Sequence, residues 1–244
     1  MKQTCILPHI AFRNTQRRLL DLYRVIWMGL ALTVFAVIGA GYWIYHQKVT
    51  RPSDPPGVQT LVPPEVAPDF NLSDQLGRPF SQTRLLGRWT IMFFGYSHCP
   101  DFCPTTLAAL NRAYRRLERD LPKIAATTQV VFVSVDPFRD SPPILAEYVG
   151  HFNARFIGVT GPPAQLQRLT QPLGASYDYA DPRTGVPFVD PMRRPQGDYT
   201  VDHGSGFYIF DDRARIVAWI LPPHTADRIV SVYTHIRSQY EQYE

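Results

Sequence analysis

Trp89–Pro104 reads WTIMFFGYSHCPDFCP, and its interpretation decides the fold. Trp89–Tyr96 is a continuous apolar run, the pattern of a strand covered on both faces. A short turn carrying Cys99 and Cys103 follows. A helix is then predicted over Pro104–Leu121. There Leu107, Leu110, Tyr114, Leu117 and Leu121 recur at three- and four-residue steps, and Arg112, Arg115, Arg116 and Arg119 take the opposite face. Two thiols therefore stand between a buried strand and the start of a helix.

Outward from this point the pattern alternates. Gln129–Val135 is a second buried strand. Pro142–Phe152 and Pro163–Leu173 are predicted helices, the first opening on proline and the second closing at Gly174. Arg155–Val159 is a short strand between them. Asp69–Phe80 is predicted as a hairpin turning at Gln75-Leu76-Gly77. Ser176–Val201 is a long loop or hairpin insertion. Gly206–Phe210 and Ile216–Leu221 pair around Asp211-Asp212, and Thr225–Tyr240 forms a last helix. This order implies an α/β class with a mixed sheet and helices on both faces. It is compatible with a thioredoxin-like three-layer domain preceded by an N-terminal hairpin, and other three-layer α/β folds stay open.

The N-terminus is of another kind. Val25–Tyr45 is uncharged over 21 residues, about 30 Å as a helix, the thickness of a bilayer's hydrocarbon core. Trp27 near one end and Tyr42, Trp43 and Tyr45 near the other suit the interfaces. The span reads as one transmembrane helix and is long for a cleaved signal peptide. Residues 1–24 are basic, so they are expected on the cytoplasmic side, with the rest in the periplasm of a bacterial inner membrane. The mitochondrial inner membrane is the second choice. Residues 46–66 are rich in proline and read as an extended linker, with the folded domain over 67–244.

The chain has 244 residues, 45% hydrophobic and 19% charged, which excludes a disordered or fibrous protein. Three cysteines exclude a disulfide scaffold. The formal charge of +4 resides in residues 1–24. The exported part is balanced and gives no support for nucleic-acid binding.

At a helix start, backbone N–H groups favour a thiolate at Cys103 and Cys99. Two chemistries are open there: thiol–disulfide exchange, for which C-x-x-C is the usual spacing, and binding of a soft metal such as copper. No catalytic group beyond Cys99 and Cys103 stands out. Among seven histidines, His9 and His46 lie outside the domain, and His151, His224 and His235 attend helices. His98 should be directed away from Cys99. His203, directly before a strand, is the candidate third ligand, and a solvated loop histidine is its alternative.

Three motifs together resemble the SCO/SenC family of copper-binding proteins, which serve cytochrome c oxidase assembly. They are Phe94–Pro104 (FGYSHCPDFCP), Val133–Pro142 (VSVDPFRDSP) and Tyr199–Gly204 (YTVDHG). The likeness spans roughly residues 65–241. It implies a thioredoxin-like fold holding one copper ion, Cu(I) or Cu(II), on Cys99, Cys103 and His203, with Cys99 and Cys103 also forming a redox-active disulfide. It implies copper delivery to the CuA site of oxidase subunit II, and a periplasmic copper donor upstream. Reduction of the CuA cysteines and a copper or redox sensor are the alternative roles. Asp136 matches an acidic residue near the family's site and is expected behind the ligands or facing a partner. Asp101 is read as solvated. Gly204 departs from the serine common after the histidine.

Overall fold

The computed structural model describes residues 9–49, 54–188, 190, 192 and 195–241. The first eight residues of the basic segment, Cys5 among them, and linker positions 50–53 lie outside the described residues. The chain divides into two units at Ser53/Asp54. The first holds one long helix, α1 (His9–Val49). Within it Tyr23–Ile44 is long and apolar enough to cross a membrane.

The second unit is a mixed eight-stranded sheet. Its centre is β4 (Trp89–Gly95), buried along its whole length as the apolar run predicts. The parallel strands β5 (Thr128–Ser134) and β6 (Ile157–Thr160) extend it on one side. The antiparallel strands β9 (Phe207–Phe210) and β10 (Arg215–Ile220) extend it on the other. The order β6-β5-β4-β9-β10 is a thioredoxin-like core. Beyond β6 lies the predicted hairpin, β2 (Asn71–Asp74) and β3 (Pro79–Ser81), turning through Gly77 at φ +74°. A positive φ costs glycine nothing, which is why the turn falls there.

Alternation along β4 sorts the core. Trp89, Ile91 and Phe93 face α2 (Phe102–Asp120), α4 (Pro142–Phe152) and α6 (Ala226–Glu241), with the short α3 (Pro122–Ala126) beside them. Met92, Phe94 and Tyr96 face α5 (Pro163–Thr170) and a separate two-stranded sheet, β7 (Tyr177–Ala180) with β8 (Thr200–His203). The insertion over 176–201 is thus a hairpin that covers one face of the sheet.

Two expectations are corrected. The proline-rich linker does not run to residue 66, because Val58–Val66 is strand β1, pairing antiparallel with β10. Proline removes a ladder donor, but on an edge strand that donor is not needed, and the pairing shifts between Thr60 and Glu65, around Pro63 and Pro64. The strand is pinned by Asp54, which accepts from the Thr60 N–H at 2.9 Å, and by the Tyr240 hydroxyl on the Leu61 carbonyl at 2.5 Å. Helix α2 also starts two residues early, at Phe102. Pro104 is its third residue, still within the first turn, where no N–H has an intrahelical partner to lose.

A chain beginning at residue 54 should therefore melt like one beginning at residue 46. One beginning at residue 67 bares the β10 edge and should lose about 5 °C or more in calorimetry, corresponding to roughly 1–2 kcal/mol for a domain of this size. Equal melting of the two would return 54–66 to the linker.

Candidate metal centre

The two cysteines lie where the carboxyl end of β4 turns into α2. Cys103 is the second residue of the helix and fully buried, whereas Cys99, in the turn, is half-buried. The Cys103 N–H points at the Cys99 sulfur at 3.4 Å. An orphan donor of the helix start is thus satisfied by a sulfur, and the aligned peptide dipoles favour negative charge there. The close approach depends on Gly95. A Cβ at that position would lie 2.8 Å from both Cys103 Sγ and the Phe132 ring, well inside contact distance.

His203 reaches the sulfurs from the other side of the sheet, as the last residue of β8 and paired with Tyr177. Its Nδ1–H is donated to the Gly204 carbonyl at 2.9 Å, which leaves Nε2 with its lone pair free. Nε2 lies 3.5 Å from Cys103 Sγ. The rings of Phe93, Tyr96 and Phe102 stand edge-on to the imidazole at 5.9–6.5 Å and fix its plane. The ligand atoms of Cys99, Cys103 and His203 all fall within 4.8 Å of one another. Among the described residues this is the one group of three or more metal-ligating side chains.

The two thiols are unlike. The Cys103 S–H and the N–H groups of Cys103 and Asp101 together outweigh burial and hold Cys99 far below the ordinary thiol range. The proton shared with Cys99 and the loss of water push Cys103 far up, which corrects the expectation of a thiolate there. Without metal the pair therefore carries one negative charge, on the more exposed sulfur. Two sulfurs and an imidazole nitrogen form a soft donor set suited to copper.

The remaining expectations sort by place. Asp136 is fully buried, so it is not on a partner-facing surface; its carboxylate is bonded to Arg139 and to the Tyr199 hydroxyl. Asp101 is exposed at the cap of α2, its carboxylate accepting from the Thr105 hydroxyl at 3.4 Å. His98 points outward, bonded to the Ser97 hydroxyl at 3.0 Å. His224 is stacked on Phe207 at 3.9 Å and spends Nε2 on the Ser205 carbonyl at 2.6 Å. The sequence reading missed Gly95, Arg139, Asp140 and Tyr199. Arg139 and Asp140 stand inside a motif that was singled out for Asp136 alone.

The asymmetry is measurable. In the reduced, metal-free protein, iodoacetamide should label Cys99 at nearly the same rate at pH 6 as at pH 8, because the thiolate is already formed. An ordinary thiol would slow about a hundredfold over that interval. Cys103 should stay unlabelled until unfolding. Labelling of Cys99 that falls away below pH 8 would contradict the assignment.

A profile of the SCO1/SenC family matches residues 58–237. A relative from Stutzerimonas stutzeri is 37% identical over 177 residues, 72% of this chain and 79% of its own. The mitochondrial protein SCO2 of Saccharomyces cerevisiae is 36% identical over 149 residues, 61% of this chain but only 45% of its own length. The structure of Bradyrhizobium japonicum ScoI with copper bound aligns with a TM-score of 0.57 at 30% identity, over 70% of this chain and 99% of that one. The matched span contains the whole sheet core, the cysteine turn and the hairpin bearing His203, and the chain belongs to the SCO1/SenC family.

Proposed function

We propose that this protein is a membrane-anchored copper carrier acting in cytochrome c oxidase assembly, and that it delivers copper to the CuA site of subunit II. The observation that carries this reading is the convergence of two sulfurs and a tautomer-fixed imidazole within 4.8 Å. The copper-bound relative supports the same cargo. Copper is the substrate here, held by Cys99, Cys103 and His203. Cys99 is half-exposed, so the ion sits near the surface, where an acceptor's cysteines can replace the ligands one at a time. Ligand exchange of this kind moves copper without releasing it to water. Binding needs Cys103 deprotonated and His203 neutral, so affinity should fall in acid.

In this reading Tyr23–Ile44 is the anchor, with the basic N-terminus cytoplasmic and the domain periplasmic in a bacterial inner membrane. A periplasmic copper donor supplies the ion.

The inequality of the two thiols favours a second reading on the same residues. Cys99 is present as a thiolate at neutral pH and so is available to attack a disulfide, with the buried Cys103 as a natural resolving partner. Such activity would reduce the acceptor's cysteines before they take copper.

The reduced full-length chain should bind one Cu(I). Cys99→Ser, Cys103→Ser and His203→Ala should each lose at least tenfold in affinity against a chelator. Mixing the loaded chain with a metal-free, reduced CuA domain should produce the CuA absorption. Transfer by the wild type and none by Cys99→Ser supports the carrier. Reduction of an oxidised CuA domain without copper transfer would replace the carrier by the reductase.

A further inference from the structure

The turn Asp136-Pro137-Phe138-Arg139-Asp140 follows β5 and grips both halves of the centre without offering a ligand. One end holds the cysteine turn. Asp140, fully buried, accepts the Ser97 N–H at 2.8 Å, the Ser97 hydroxyl, and the Ser134 hydroxyl at 2.5 Å. Ser97 is two residues before Cys99, so this carboxylate sets where the turn leaves β4. The other end holds the histidine hairpin. The Arg139 guanidinium lies over the Tyr199 ring at 3.7 Å and donates Nη1–H to the Tyr199 carbonyl at 3.1 Å. Tyr199 returns its hydroxyl to Asp136 at 2.8 Å. It stands directly before β8, four residues from His203.

The turn is also stiff in itself. The Asp136 carbonyl accepts from the N–H groups of Arg139 and Asp140 at 3.3 and 2.9 Å, and Arg139 Nε–H reaches the Asp136 carboxylate at 2.5 Å. Burying two carboxylates four residues apart is expensive unless each is fully engaged. Here each is engaged, and the bonds they make reach two chain segments, one bearing the cysteines and the other bearing His203.

We propose that this turn is a latch that sets the separation between the cysteine sulfurs and the His203 ring, with Arg139 the positioning residue for the imidazole and Asp140 for the sulfurs. The inference rests on Cys99, Cys103 and His203 being the ligand set. Arg139 is suited to its part because a planar guanidinium can stack on a ring and bond edge-on at once, which an ammonium cannot.

A double-mutant cycle on Cu(I) affinity of the full-length chain, measured by competition with bathocuproine disulfonate, tests the latch. Arg139→Met should weaken binding roughly tenfold in the native background, the size expected of a residue that orients a ligand. It should change affinity by less than about twofold when His203→Ala is already present, because its effect passes through that ring. Asp140→Asn should weaken binding in both backgrounds alike. No loss with Arg139→Met, or an equal loss with and without His203, overturns the latch while leaving the metal site standing. An unchanged affinity of His203→Ala alone overturns the ligand set and the latch with it. If Arg139→Met does not fold, as judged by circular dichroism, Tyr199→Phe, which removes only the hydroxyl bond to Asp136, is carried through the same cycle with the same criteria.

Discussion

A negative sulfur held by neutral donors is the interaction on which the rest of this structure depends. Cys99 is stabilised by the Cys103 N–H at the start of α2 and by the Cys103 thiol proton. The cation nearest in the sequence motif, Arg139, is engaged instead with Asp136 and two tyrosine rings. The distinction matters chemically. A lysine or arginine paired with the thiolate would have to be displaced before a metal cation could enter. Peptide dipoles lower the cost of the charge and leave the sulfur lone pairs available.

The fold supplies this arrangement through the geometry of its central strand. β4 ends where the two faces of the sheet meet, and Cys99 touches the apolar clusters on both sides. Cys103 belongs to the helical face and His203 to the hairpin face. A ligand from each can therefore approach the other only around the end of β4, the edge at which open α/β sheets place their sites. Gly95, the last residue of that strand, leaves room for the approach. The turn at Asp136–Asp140 fastens the two segments at the neighbouring strand end.

Much of this could be read from residues alone, for identifiable reasons. The run WTIMFFGY has the pattern of a strand covered on both sides and the leucine spacing after Cys103 that of a helix, which puts the thiols at a helix start. His203 was reachable because it stands directly before a strand, in a loop that faces the cysteine turn in a thioredoxin-like arrangement. The edge strand Val58–Val66 was hidden because prolines argue against pairing, and that argument fails at an edge with a bulge. Asp140 and Arg139 were hidden because their work is done across 43 and 60 residues of sequence. Local patterns carry no trace of such contacts. The burial of Asp136 was hidden for the same reason, because it depends on Tyr199 and Arg139 closing over it.

The SCO1/SenC membership and the soft donor set lead to the same centre, one through sequence likeness and one through the positions of three atoms. X-ray absorption at the copper edge of the reduced, Cu(I)-loaded protein tests that centre most directly. The account predicts a first shell of two sulfurs and one nitrogen, with the nitrogen replaced in His203→Ala. A shell of sulfur alone, or one unchanged by removal of His203, would contradict it.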